Sequence, residues 1–295
     1  MGLKVWLDGK YYDQDEAKVS VFDHGLLYGD GVFEGIRSYN GKVFRLREHV
    51  KRLYDSAKAI LLKIPMTQDE MARQIEDALK VNNLTDSYIR VVVTRGVGDL
   101  GLDPRKCPKA SVVIITATIQ LYPPETYENG LAVVTAATPI SHRENLNPRI
   151  KSLNYLAHIL AKIEGINAGV DEVIMMDPAG YVAECSGDNI FVIEEPDKRS
   201  DGRKIVRTPP VSAGLLKGIT RDAVMELAMD AGYDVREEAL TRYDLFVAEE
   251  CFLTGTAAEL ISVVKVDGRT IGCGKAGPVT TDLLDRFREL TQRGG

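Results

Sequence analysis

Hydrophobic residues recur along this chain with two periods, one helical and one of alternating strands. Val50, Leu53, Tyr54, Ala57 and Ile60 share one side of a helix predicted over 47–62. A second helix is predicted over 67–81, where Thr67 and Glu70 form a capping box. The β-branched runs 88–94 and 111–118 predict strands, as do 3–7 and 18–22 on either side of a polar turn. Tyr28 to Tyr39 passes from a glycine-rich bend into a strand, and Asn40-Gly41 turns it back into Val43-Phe44-Arg45 as a hairpin. Residues 96–104 form a glycine-punctuated loop.

Pro123-Pro124 lies in a linker, 121–130, that separates an N-terminal domain, 1–120, from a C-terminal domain, 131–295. Beyond it, strands are expected at 131–136, 172–176, 181–183, 189–193, 249–254 and 260–266. Helices are expected after Ser152 and over 218–231 and 277–291, and 194–204 reads as an exposed hairpin loop. Strands and helices mixed this irregularly predict an α+β fold.

The composition narrows the function. With 44% hydrophobic and 27% charged residues, the 295-residue chain has an ordinary globular balance. A net charge of -6 and the lack of basic runs argue against nucleic acid as a partner. No apolar run approaches the roughly 20 residues of a membrane span, and the N-terminus enters a strand pattern without a signal-peptide core. Cys107, Cys185, Cys251 and Cys273 lie far apart, which fits free thiols in a cytoplasmic protein. His24, His49, His142 and His158 are equally scattered, so no metal site is expected.

The candidate chemistry begins at Asn147–Leu156, where an Asn-Pro bend runs into a helical pattern. Lys151 sits at that junction, one residue before Ser152, a plausible N-cap. Glu184 follows a strand and precedes the Ser186-Gly187 turn. Gly218-Ile219-Thr220 opens a helix and Gly255-Thr256-Ala257 follows a strand, so each offers backbone N–H groups to an anion. Arg52 could grip the same anion bidentately. Taken singly, these read as a solvated lysine, a turn carboxylate, a helix cap and a surface arginine. Taken together, they supply what pyridoxal phosphate requires: an amine, a carboxylate for the ring nitrogen and a phosphate cup.

The stretches YGDGVFEGIRSYNGKVFRLREHVKRL (28–53), YIR (88–90), IKSLNYL (150–156), GYVAECSGDNIF (180–191), GITRDA (218–223) and LTGTAAE (253–259) span nearly the whole chain. Together they resemble the branched-chain amino acid aminotransferases. These belong to the fold-type-IV pyridoxal-phosphate enzymes that also include D-amino acid aminotransferase and aminodeoxychorismate lyase. The resemblance implies a small N-terminal α/β domain, a larger C-terminal pseudo-barrel domain carrying the lysine, and an active site in the cleft between them. It implies that Lys151 is the Schiff-base lysine and proton carrier, that Tyr155 bonds the ring hydroxyl, and that Glu184 meets the ring nitrogen. Leu216 would pack on the ring, and Arg52, Gly218, Ile219, Thr220 and Thr256 would hold the phosphate. Tyr28, Phe33, Gly35, Tyr88, Arg90, Tyr122, Thr256 and Ala257 would form the substrate pocket.

The implied reaction exchanges amino groups between leucine, isoleucine or valine and 2-oxoglutarate, the last step of branched-chain amino acid biosynthesis. Its partners are small amino acids and 2-oxo acids, and the implied assembly is a homodimer or an oligomer of dimers in which loop 96–104 reaches the partner's site. The rivals are D-amino acid aminotransferase, against which Tyr88-Ile89-Arg90 weighs, aminodeoxychorismate lyase, and a non-catalytic homologue. Lys217 departs from the proline that some relatives carry there.

Overall fold

The computed structural model describes residues 2–118 and 122–293. Among these, 2–118, 150–154 and 291–293 form one compact unit, and 122–149 with 155–290 form the other.

In the first unit, Asp8 and Gly9 both take positive φ, 47° and 97°. They turn β1 (Lys4–Leu7) into β2 (Lys10–Asp13) as an antiparallel hairpin. The second expected strand, 18–22, is irregular chain and turn instead, with Val21 69% exposed. The tight Asp8-Gly9 turn returns the chain well before the apolar run that suggested a strand. Next come α1 (His24–Tyr28), β3 (Gly31–Tyr39), β4 (Lys42–Val43), α2 (Leu46–Ala59), α3 (Gln68–Val81), β5 (Ser87–Thr94) and β6 (Ser111–Ala117). The Asn40-Gly41 hairpin and the Thr67–Glu70 capping box form as expected.

The sheet runs β2-β1-β6-β5-β3-β4. Alternation along its strands sets two faces. Val32 and Ile36 of β3 and Ile89, Val91 and Val93 of β5 are fully buried in one core with Val50 and Leu53 of α2 and Met71 and Ile75 of α3. Each buried side chain of this size contributes about 1.5–3 kcal/mol. The alternate positions, Phe33 and Gly35 on β3 and Tyr88 and Arg90 on β5, belong to the other face.

The second unit contains α4 (Pro124–Asn129), β7 (Leu131–Thr135), α5 (Leu156–Asn167), β8 (Glu172–Met176), β9 (Val182–Cys185), β10 (Asn189–Glu194), β11 (Ile205–Thr208) and α6 (Ile219–Asp230). It continues with β12 (Asp234–Glu237), α7 (Arg242–Val247), β13 (Glu250–Gly255), β14 (Glu259–Val266), β15 (Arg269–Thr270) and α8 (Pro278–Arg293), of which residues through 290 count with this unit. Its sheet runs β12-β11-β10-β13-β14-β7-β8-β9, with β15 against β14. Helices and mixed sheets make the chain α+β.

Three expectations change locally. Of the predicted linker, residue 121 lies outside the described residues and Pro124–Asn129 is helical. The helix after Lys151 starts at Leu156, with Tyr155 at its N-cap, and not at Ser152. Residues 151–153 cannot open it because β3 claims their backbone. Glu184 lies inside β9, paired with Met175 of β8, and not on a turn.

Candidate active site

Lys151 is placed by its backbone. Its carbonyl accepts the Phe33 N–H at 2.9 Å, the Leu153 N–H donates to the Gly31 carbonyl at 3.0 Å, and Ser152 bridges Val32. The Lys151 N–H donates to Ser56 Oγ of α2 at 3.2 Å. The lysine is thus pinned between the end of one strand and a helix, and its Nζ lies 4.6 Å from the centre of the Phe33 ring.

The same ring receives a second cation. The Arg90 guanidinium carbon lies 4.7 Å from the Phe33 centroid and 5.3 Å from that of Tyr88. Arg90 Nη2 donates to Tyr88 Oη at 2.9 Å. Burial pushes the Tyr88 phenol up, over the opposing pull of Arg90, so the hydroxyl keeps its proton. Gly35 faces Arg90 in register, and a Cβ there would stand 2.0 Å from Tyr88 Oη. Phe33, Gly35, Tyr88, Arg90 and Lys151 therefore gather on one face. Tyr28, 37% exposed, is tied to the 96–104 loop through a hydrogen bond from its Oη to the Leu100 carbonyl at 2.5 Å.

Arg52 belongs to a buried cluster that sequence reasoning missed. Its Nε and Nη2 donate to the two oxygens of Glu34 at 2.7 and 2.8 Å. His49 Nδ1 donates to Glu34 at 2.8 Å, and Glu34 is wholly buried. Burial alone would raise the Glu34 carboxyl, but Arg52 and the two sets of hydrogen bonds hold it down at about 2. Burial pushes His49 down despite Glu34, leaving a neutral imidazole. An ionised carboxylate thus aims Arg52 from behind, and the signal for it was a glutamate between Val32 and Ile36 on the core face of a strand.

In the second unit, Glu184 is 6% exposed. Its Oε2 accepts the Leu216 N–H at 3.0 Å and Asn189 Nδ2 at 3.3 Å. Asn189 Nδ2 also donates to the Leu216 carbonyl at 3.0 Å. Gly218 caps α6 without a side chain, and a Cβ on it would stand 2.1 Å from Asn189 Oδ1. The first turn of α6, with Ile219 and the buried Thr220, therefore presents the positive end of the helix dipole. Lys217 faces Asp222, 3.4 Å away.

Thr256 and Ala257 lie in the turn from β13 to β14. Gly255 keeps that turn close to Asp188, since a Cβ would approach Asp188 Oδ1 to 1.8 Å. Tyr155 stacks on His158, ring centres 4.5 Å apart and planes 22° apart. Tyr122 is buried edge-on to Tyr127, and burial followed by Asp188 pushes its phenol well up. Tyr155, Glu184, Leu216 and Gly218 are thus linked through His158 and Asn189, two residues the sequence did not single out.

This donor set fits a phosphorylated pyridine. A buried carboxylate suits a protonated ring nitrogen, and an uncapped helix start suits a phosphate. The Thr254 hydroxyl, on the strand before the Thr256 turn, is buried without a hydrogen-bond partner. A bound polar group would satisfy it.

Comparison with known proteins agrees. The family model for the class IV amino-transferases matches residues 31–266. A Methanocaldococcus jannaschii protein, provisionally named a branched-chain-amino-acid aminotransferase, is 50% identical over 293 residues, 99% of this chain and 98% of its own. The crystal structure of the Escherichia coli branched-chain amino acid aminotransferase superposes with a TM-score of 0.94 at 34% identity, covering 100% of this chain and 96% of that one. The branched-chain amino acid aminotransferase of Thermobaculum terrenum, solved in its PLP-form, gives 0.87 at 28% identity, over 100% and 95%. The chain belongs to the class IV aminotransferases, and within them to the fold-type-IV branched-chain aminotransferases.

Proposed function

We propose that this aminotransferase moves the amino group of L-leucine, L-isoleucine or L-valine to 2-oxoglutarate, using pyridoxal 5'-phosphate. When bound, that cofactor supplies the electron sink for bonds broken at the substrate's α-carbon. Lys151 tethers it and carries the proton at the α-carbon, a double role that suits an amine on a backbone-pinned segment. Glu184 holds the ring nitrogen protonated, Tyr155 bonds the ring hydroxyl, and Leu216 packs on the ring. Arg52, Gly218, Ile219, Thr220 and Thr256 bind the phosphate.

The observation that carries the substrate reading is Arg90 lying across Phe33 and Tyr88 beside Lys151. Aromatic walls suit a branched aliphatic chain, while one guanidinium among them suits the distal carboxylate of glutamate. Tyr28, Gly35, Tyr122 and Ala257 complete the pocket in this reading. A panel of L- and D-amino donors with 2-oxoglutarate as acceptor tests it. Turnover should concentrate on the three branched L-amino acids, and preference for D-donors would refute the assignment.

Gly35 tests the geometry of the pocket. Since a Cβ there would meet Tyr88 Oη, Gly35→Ala should displace Tyr88 and Arg90 and lower kcat/KM by about tenfold or more. The melting temperature should change little. Unchanged kcat/KM would show that the Gly35 contact plays no part in substrate binding.

We also place the enzyme in the cytoplasm as a homodimer or an oligomer of dimers. Its four cysteines are free, and among the described residues no helix is long and apolar enough to cross a membrane. Leu100 and Leu102 on the 96–104 loop are 67% and 78% exposed, and Leu156, Ile159, Ile163 and Ile166 form an exposed apolar stripe on α5. A second copy would cover both.

A further inference from the structure

His158 touches both proposed ring partners, Tyr155 and Glu184. It sits on the first turn of α5, three residues after Tyr155, and stacks on that ring at 4.5 Å. Its Nε2 lies 3.6 Å from Glu184 Oε1, the carboxylate oxygen opposite the one bound by Leu216 and Asn189. That distance exceeds a hydrogen bond, so the contact acts through charge and dipole. The side chain is 13% exposed, and its Nδ1 is buried with no hydrogen-bond partner. A buried imidazole that leaves one nitrogen unsatisfied is costly, and that cost asks for a reason in the site.

We propose that His158 is a positioning residue that couples Glu184 to Tyr155. One ring face fixes the Tyr155 plane, while Nε2 biases the Glu184 carboxylate toward the orientation set by Leu216 and Asn189. The tyrosine and the carboxylate are thereby held as one unit. The inference rests on the reading that Glu184 and Tyr155 meet the cofactor ring.

The test uses holoenzyme carrying His158→Ala, His158→Phe or His158→Gln, with Glu184→Gln alongside. Phe keeps the stacking surface but has no polar edge, whereas Gln keeps an N–H donor. Four quantities are read: the rate at which cofactor is lost on dialysis, the position of the visible absorption band, kcat, and KM. Residues that orient a ligating group commonly matter about 10- to 100-fold. Ala should therefore speed cofactor loss and lower kcat by about tenfold or more, shift the band, and leave KM nearly unchanged, while Phe and Gln, each keeping one of the two contacts, restore only part of each. Wild-type behaviour of His158→Ala would overturn the proposal. So would full rescue by Phe, which would reduce His158 to a stacking surface. If Glu184→Gln itself left band, cofactor loss and kcat unchanged, the assignment of Glu184 would fail whatever His158 does. A changed Glu184→Gln beside an unchanged His158→Ala would sink the coupling alone.

Discussion

Lys151→Ala should lower turnover by about 10²–10⁴-fold or more, because in the proposed mechanism one amine both tethers the cofactor and moves the α-proton. The variant should still fold. The anchors of this segment are main-chain groups, namely the Phe33 N–H to the Lys151 carbonyl and the Lys151 N–H to Ser56, and alanine keeps them all. What it gives up is the side chain, with its contact to the Phe33 ring. Rapid-quench turnover and a thermal melt, measured on the same preparation, check both halves. Near-normal turnover would remove Lys151 from the chemistry, while a collapsed melting temperature would show that its role is structural.

The second large effect is expected at Arg90 and should depend on substrate. An apolar pocket that binds leucine would reject glutamate, since a buried carboxylate without a partner costs several kcal/mol. In the proposed reading Arg90 resolves that conflict by setting its guanidinium carbon over both rings, 4.7 Å from the Phe33 centre and 5.3 Å from that of Tyr88, a placement that lets one long side chain serve an aromatic wall and a carboxylate. Its Nη2 is held by Tyr88. Arg90→Met keeps a long apolar stem and removes the charge. The half-reaction with glutamate or 2-oxoglutarate should lose roughly 2–4 kcal/mol of transition-state binding, about 30- to 1,000-fold in rate. The leucine half-reaction should change far less. Single-turnover rates for the two substrates decide the matter, and equal losses would mean that Arg90 does not read the distal carboxylate.

Much of this was legible in the sequence, for identifiable reasons. The capping box at Thr67 and the turn at Asn40-Gly41 are local devices, and local chemistry settles them. β5 and β6 of the first sheet showed in their β-branched runs, whereas β2 did not and the strand expected at 18–22 does not form. The position of Lys151 was harder. Its residues read as the approach to a helix, but pairing with β3, more than a hundred positions earlier, overrides that local preference. β11 and β12 escaped notice because their charged residues are held by ion pairs that sequence does not display, as with Arg207 to Asp244 and Arg236 to Asp197. The Glu34–His49–Arg52 cluster and the Asn189 hub were missed for a related reason. Both depend on side chains from separate elements meeting in a buried place, where each residue alone looks ordinary.

The central claim is amino transfer from a branched L-amino acid to 2-oxoglutarate, and one cuvette tests it most directly. Reconstituted enzyme is mixed with L-leucine alone, its visible band is followed, and 2-oxoglutarate is then added. L-Leucine should bleach the band in a single turnover and yield one equivalent of the branched 2-oxo acid per site. Addition of 2-oxoglutarate should restore the band and release one equivalent of L-glutamate. A band that L-leucine leaves untouched, or that D-amino acids bleach faster, would contradict the account.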